Sequence, residues 1–153
     1  YDSSKILFRE HPLYGEIDVQ GFQEILPGIY SHGDFFEFEL STLPLLGKQL
    51  PISGGGYLRM FPWSAMKRFM KRYIEKRYFY VLYIHPFEIS PLPDPVMPQG
   101  ISFANRTRFS LGRASVFRKL EALITMLKLN GFELTTFSVL REQMLQDQVQ
   151  GPL

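Results

Sequence analysis

Tyr78-Phe79-Tyr80-Val81-Leu82-Tyr83-Ile84 is an unbroken apolar run of seven residues, closed by His85-Pro86. It is too short to cross a membrane, and its length suits a strand covered on both faces. Upstream, Pro62 suits the first turn of a helix. Trp63, Met66, Met70, Tyr73 and Ile74 then recur at spacings of three and four, which predicts one buried helical face. Lys67, Arg68, Lys71, Arg72, Lys76 and Arg77 occupy the rest of that helix. Downstream, Val116, Phe117, Leu120, Leu123, Ile124 and Leu127 make a second apolar stripe, with Asn130-Gly131 as a helix stop. Phe132 to Phe137 reads as another strand, and Ser138 as the cap of a short helix ending near Met144. An alternation of strands and helices predicts an α/β fold with a parallel sheet or part of a barrel.

Farther out the signals weaken. Phe36, Phe38 and Leu40 alternate with Phe35, Glu37 and Glu39, the period of a strand. Gly47 to Gly56 reads as a loop ending in Gly54-Gly55-Gly56, where positive φ angles or a close approach by a ligand or another backbone are tolerated. Residues 1–33 are rich in turn formers and predict a long, irregular connection. From Pro86 to Pro98 five of thirteen residues are proline, which predicts a stiff extended loop without helix or central strand. No internal repeat is evident.

Composition narrows the classes of function. The chain has 153 residues, 45% hydrophobic and 15% aromatic, enough for one packed domain and incompatible with a disordered linker. Seventeen basic against fifteen acidic residues leave a net charge of +2, which gives no argument for a nucleic-acid partner. The basic helix face reads as a solvated face. With no cysteine there are no disulfides, thiolate metal sites or cysteine nucleophiles, while the compartment stays open. The opening Tyr1-Asp2-Ser3-Ser4 lacks an initiator Met and a signal peptide, and reads as part of something longer.

Few residues could carry chemistry. His11 and His32 sit in turn-rich stretches and read as exposed and idle. His85 follows the apolar run, where an α/β fold presents catalytic groups; it is either such a group or a strand cap. Glu88 could orient its imidazole, bind a ligand hydroxyl, or be a solvated loop residue. The glycine triplet matches neither the dinucleotide nor the phosphate-loop pattern, and shapes either a polar cleft or a tight turn. No metal-ligand spacing and no serine-hydrolase elbow occur.

Several blocks together resemble a known family. Leu50-Pro51-Ile52-Ser53-Gly54-Gly55-Gly56-Tyr57-Leu58-Arg59, followed by Phe61-Pro62-Trp63, resembles the GGGYxR block of polysaccharide deacetylases of the NodB-homology type, in the subgroup found with exopolysaccharide and exosortase gene clusters. Tyr83-Ile84-His85-Pro86-Phe87-Glu88 resembles their YxHPxE block, and Tyr1-Asp2-Ser3-Ser4 the YDSS after their third motif. Glu37-Phe38-Glu39-Leu40-Ser41-Thr42 is similar to a further block, with Glu39 where that family has proline. The resemblance runs in order from Tyr1 to about Leu140.

The resemblance implies the C-terminal portion of a distorted (β/α) barrel over residues 1–140, with 141–153 as a terminal helix end and tail. It implies hydrolysis of N-acetyl groups on an amino-sugar polymer, with a divalent metal, zinc as the expected ion. The family's metal ligands and catalytic base lie in motifs upstream of YDSS, so this chain is expected to be inactive alone. His85 inherits the role of general acid. Gly54, Gly55, Gly56, Tyr57, Arg59, Trp63 and Glu88 are expected at the substrate, with Arg59 either binding sugar or pairing an acidic residue. The expected partner is an N-acetylated polysaccharide, with no nucleic acid and no membrane segment in this chain. The competing reading is a non-catalytic carbohydrate-binding module, with Tyr57, Trp63 and Phe87 stacking on sugar rings.

Overall fold

The computed structural model describes residues 1–3, 21–76, 79–92 and 96–150. Their architecture is mixed α/β, with two small antiparallel sheets, six helices and no closed barrel among the described residues.

β1 (Gln23–Leu26), β2 (Ile29–His32) and β3 (Phe35–Phe38) form one sheet in sequence order, and β4 (Thr42–Leu45) pairs with β5 (Lys48–Pro51). The expected parallel sheet is therefore corrected: four-residue strands joined by short turns pair as hairpins, because a parallel crossover needs a dozen or more residues. The turn-rich stretch before residue 33 holds β1 and β2, with Pro27-Gly28 as the turn between them rather than part of a structureless connection. His11 and the rest of residues 4–20 lie outside the described residues. Gly47 likewise turns a hairpin instead of opening a loop. Leu46 and Gly47 both have positive φ (51° and 73°), which is the two-residue turn whose twist matches the strands.

The helical stripes fold as their spacing predicts. Pro62 precedes α2 (Trp63–Ile74), which buries Met66, Met70 and Tyr73. Lys67, Arg68, Lys71, Arg72 and Lys76 are exposed. α5 (Arg113–Leu129) buries Val116, Leu123 and Leu127. It ends at Asn130, where the Phe132 N–H donates to the Leu127 carbonyl at 3.1 Å and the Gly131 N–H to the Lys128 carbonyl at 3.1 Å. This is the paired closure of a left-handed helix cap. α5 contacts α1 (Gly55–Met60), α2 and α3 (Pro86–Ile89), so it is the spine of the helical part.

The apolar run that predicts a strand is extended, but its described part, Phe79 to Ile84, makes a single parallel bridge, Tyr83 with Gly54. Two clusters of side chains cover it instead of neighbouring strands. Tyr80, Leu82 and Ile84 pack on a core of Leu43, Ile52, Leu58, Met66, Met70, Tyr73, Val116, Leu123 and Leu127. Val81 and Phe79 join the other core, around Ile29, Phe36 and Phe38. Alternate residues of an extended chain face opposite ways, so a run between two cores is apolar throughout.

Three further expectations change. Residues 132–136 form no strand, and Phe137 opens α6 (Phe137–Gln150), its ring stacked 4.8 Å from that of Phe38. Thr136, not Ser138, caps α6: its Oγ1 accepts from the Val139 N–H at 3.3 Å. Pro86 begins the one-turn α3 inside the proline-rich stretch, since proline costs nothing at a position whose N–H has no helical partner. α4 (Phe103–Ser110), capped by Ser102, has too little amphipathic pattern to be foreseen.

Candidate functional site

The bridge at Tyr83 brings the glycine block and the His85 block together. The Tyr83 N–H donates to the Ser53 carbonyl at 2.7 Å, and the Gly55 N–H donates to the Tyr83 carbonyl at 2.8 Å. Gly54 then caps α1, while His85 caps α3. Two short helices thus start side by side at the end of one extended segment.

Glu88 fastens them. It is 2% exposed, so it is no solvated loop residue. Its Oε2 accepts from the His85 N–H at 3.0 Å, and the Glu88 N–H donates to the His85 carbonyl at 2.9 Å. Its Oε1 lies 3.4 Å from Nε of Arg59, forming an ion pair with the last turn of α1. Glu88 therefore orients the histidine backbone rather than the imidazole. Arg59 pairs an acidic residue, one of its two expected roles, and its Nη1 also donates to the Phe109 carbonyl.

The glycine triplet serves close approach, not unusual backbone angles. Gly54 has φ −98°, and none of the three is among the positive-φ glycines. A Cβ on Gly55 would lie 1.9 Å from Glu88 Oε2, whereas one on Gly56 would meet nothing within 4 Å. What comes close to the triplet is a carboxylate of this same chain.

Two cations from α5 hold the framework. Lys119 Nζ donates to the carbonyls of Leu58, Arg59 and Phe61 at 3.0, 3.0 and 2.8 Å, closing the C-terminal end of α1. Burial lowers the pKa of that ammonium. Arg113 donates to the carbonyls of Phe87 at 2.7 Å and Ser90 at 3.1 Å, and also to that of Leu92, closing α3. Gly112 (φ +74°) lets the chain enter α5 against Arg59, whose carbonyl oxygen would be 2.4 Å from a Cβ there.

The imidazole of His85 is exposed. The Tyr83 hydroxyl lies 2.8 Å from its Nε2 and 3.2 Å from its Nδ1, with the two rings edge to face at 4.6 Å. A ring stack runs from His85 through Phe87, 5.5 Å away, to Phe109, which lies 4.6 Å from Phe87 at an interplanar angle of 7°. The Arg59 guanidinium carbon sits 5.8 Å from the Phe87 ring centre.

Residues 3–137 match a protein family described as a domain of unknown function (DUF3473). The chain belongs to the DUF3473 family. Neither a curated protein nor a solved structure matches it.

Of the residues expected at the site of this DUF3473 chain, His85, Gly54, Gly55, Arg59 and Glu88 come together. Tyr57 stacks on Phe61 at 6.2 Å, and its ring lies 3.2 Å from where a Gly54 Cβ would be. Trp63 packs on the helical core, with no described contact to His85. Phe87 is engaged by its neighbours. His32 is exposed on β2 against Phe22, at 5.6 Å. Tyr83, Phe109, Arg113 and Lys119 went unforeseen. Tyr83 alone had a signal, standing two residues from His85 in an extended segment and therefore on the same side.

Among the described residues, no group of three or more His, Asp or Glu side chains could hold a metal ion, and no helix is long and apolar enough to cross a membrane. A groove of about 940 Å³ runs between residues 79–82, the end of α5 and the start of α6, and His85 does not line it.

Proposed function

We propose that this chain is the C-terminal portion of a metal-dependent polysaccharide N-deacetylase, a fragment of a distorted (β/α) barrel in which His85 is the general acid. The observation that carries the reading is the joining of the GGGYxR-like and YxHPxE-like blocks through one buried pair, Glu88 and Arg59, which leaves the His85 imidazole exposed above them. A site that must hand a proton to a large polymer needs such a group on a rigid base and open to substrate. The resemblance implies that the ion and the base are held by motifs upstream of Tyr1; among the described residues no group fits a metal. What this chain contributes is the proton for the leaving amine and the frame that aims it.

The carbohydrate-binding alternative needs free aromatic faces. It is weakened by the engagement of Phe87 with Phe109 and of Tyr57 with Phe61. The test is acetate release from N-acetylated amino-sugar polymers by the full-length protein. Release is the expected result; binding of the polymer with no acetate released would favour the alternative.

A further inference from the structure

The main chain at His85 is fixed on two sides, by Glu88 and by the bridge at Tyr83. Among the described residues, the hydrogen-bond partner of the imidazole is the Tyr83 hydroxyl, 2.8 Å from Nε2 and 3.2 Å from Nδ1. That hydroxyl stands over the side of the ring that carries both nitrogens, nearer to Nε2. Nearest to Nε2, it can donate to that nitrogen when the ring proton sits on Nδ1. Tyr83 is 45% exposed and lies outside both cores.

We infer that Tyr83 is a positioning residue for His85: its hydroxyl sets the orientation and the tautomer in which the imidazole meets substrate. The inference rests on the reading of His85 as proton donor and adds to it a residue that acts through His85. The Phe87 ring, stacked 5.5 Å away, limits the swing of the imidazole. With one contact polar and the other apolar, only removal of the hydroxyl frees the ring's orientation without opening the stack.

The experiment compares Tyr83→Phe and His85→Ala in the full-length protein, on N-acetylated amino-sugar polymer, by kcat, KM, thermal melting and the side-chain 15N resonances of His85. Tyr83→Phe should lower kcat about three- to tenfold, the size of one neutral hydrogen bond. KM and the melting temperature should stay as in the wild type, and the His85 ring resonances should move as the tautomer balance changes. His85→Ala should lose far more turnover. If His85→Ala is inactive while Tyr83→Phe keeps the wild-type kcat and ring resonances, Tyr83 does not position the histidine. A fall in kcat that comes with a fall in melting temperature and unmoved resonances is a folding effect, and overturns the inference equally. If His85→Ala turns over normally, the proton-donor reading itself fails and takes this inference with it.

Discussion

At the scale of single residues, the three glycines of Gly54-Gly55-Gly56 are not equivalent. Gly55 has the Glu88 carboxylate where a methyl group would go, and Gly56 faces open space inside α1. Gly55→Ala should destabilise the protein by about 1–3 kcal/mol, as overpacking of a tight contact does. Gly56→Ala should be neutral or stabilising by up to about 1 kcal/mol, from glycine's poor helix propensity. Urea unfolding of the two variants checks both, and equal effects would contradict the Gly55–Glu88 contact. The block was legible in sequence as a place of close approach, but not what approaches. Glu88 lies 33 positions away, and its burial depends on the bridge at Tyr83 and on Arg59. Each of these is a tertiary fact without local signature. The paired guanidinium also decides how Arg59 is used: a buried carboxylate left alone costs more than the pair gains, so the two residues stand or fall together.

At the scale of elements, α2 and α5 were legible because each buries one face, and a spacing of three and four marks that face whatever covers it. The run ending at Ile84 was legible as buried on both sides, but a sequence does not say whether strands or side chains do the covering. The hairpins were missed for another reason. Strands of four residues show barely two periods, and their turns carry the composition of a loop. The turn between β4 and β5 yields a test. Leu46 holds φ 51°, a region that costs a branched residue roughly 1–2 kcal/mol, and its side chain is 94% exposed with no packing to offset that cost. Leu46→Asn should therefore stabilise the protein by about 1 kcal/mol. Thermal melting would show it, and a loss of stability would mean that the leucine side chain does something at the surface.

At the scale of the whole molecule, two tyrosines tie both sheets to alkaline pH. The Tyr80 hydroxyl donates to the Ile52 carbonyl at 2.7 Å, and burial, with neighbouring Tyr73, pushes its pKa well above the ordinary value. Burial, then the carboxylates of Glu39 and Glu24, pushes Tyr30 the same way. A pKa raised on folding gives stability that is complete below the unfolded value, about 10, and is lost as pH rises past it. Lys119 has the opposite sign: with its pKa lowered on folding, it adds a little stability as pH climbs toward about 10.5. The melting temperature should hold up to about pH 10 and fall steeply beyond it. Tyr80→Phe should start lower, for want of its hydrogen bond, and fall less steeply; an unchanged slope would show that Tyr80 is not the group being titrated.

The extended segment, α1, α3 and α5 converge on one result, an exposed histidine on a buried ionic base. The claim that this histidine delivers a proton is tested most directly by kcat and KM of His85→Ala in the full-length protein on an N-acetylated amino-sugar polymer. The account predicts a fall in kcat of about a hundred- to ten-thousandfold, with KM, melting temperature and bound metal as in the wild type, because the proton is needed only in the transition state. Acetate release at the wild-type rate would contradict it and leave His85 as no more than the cap of α3.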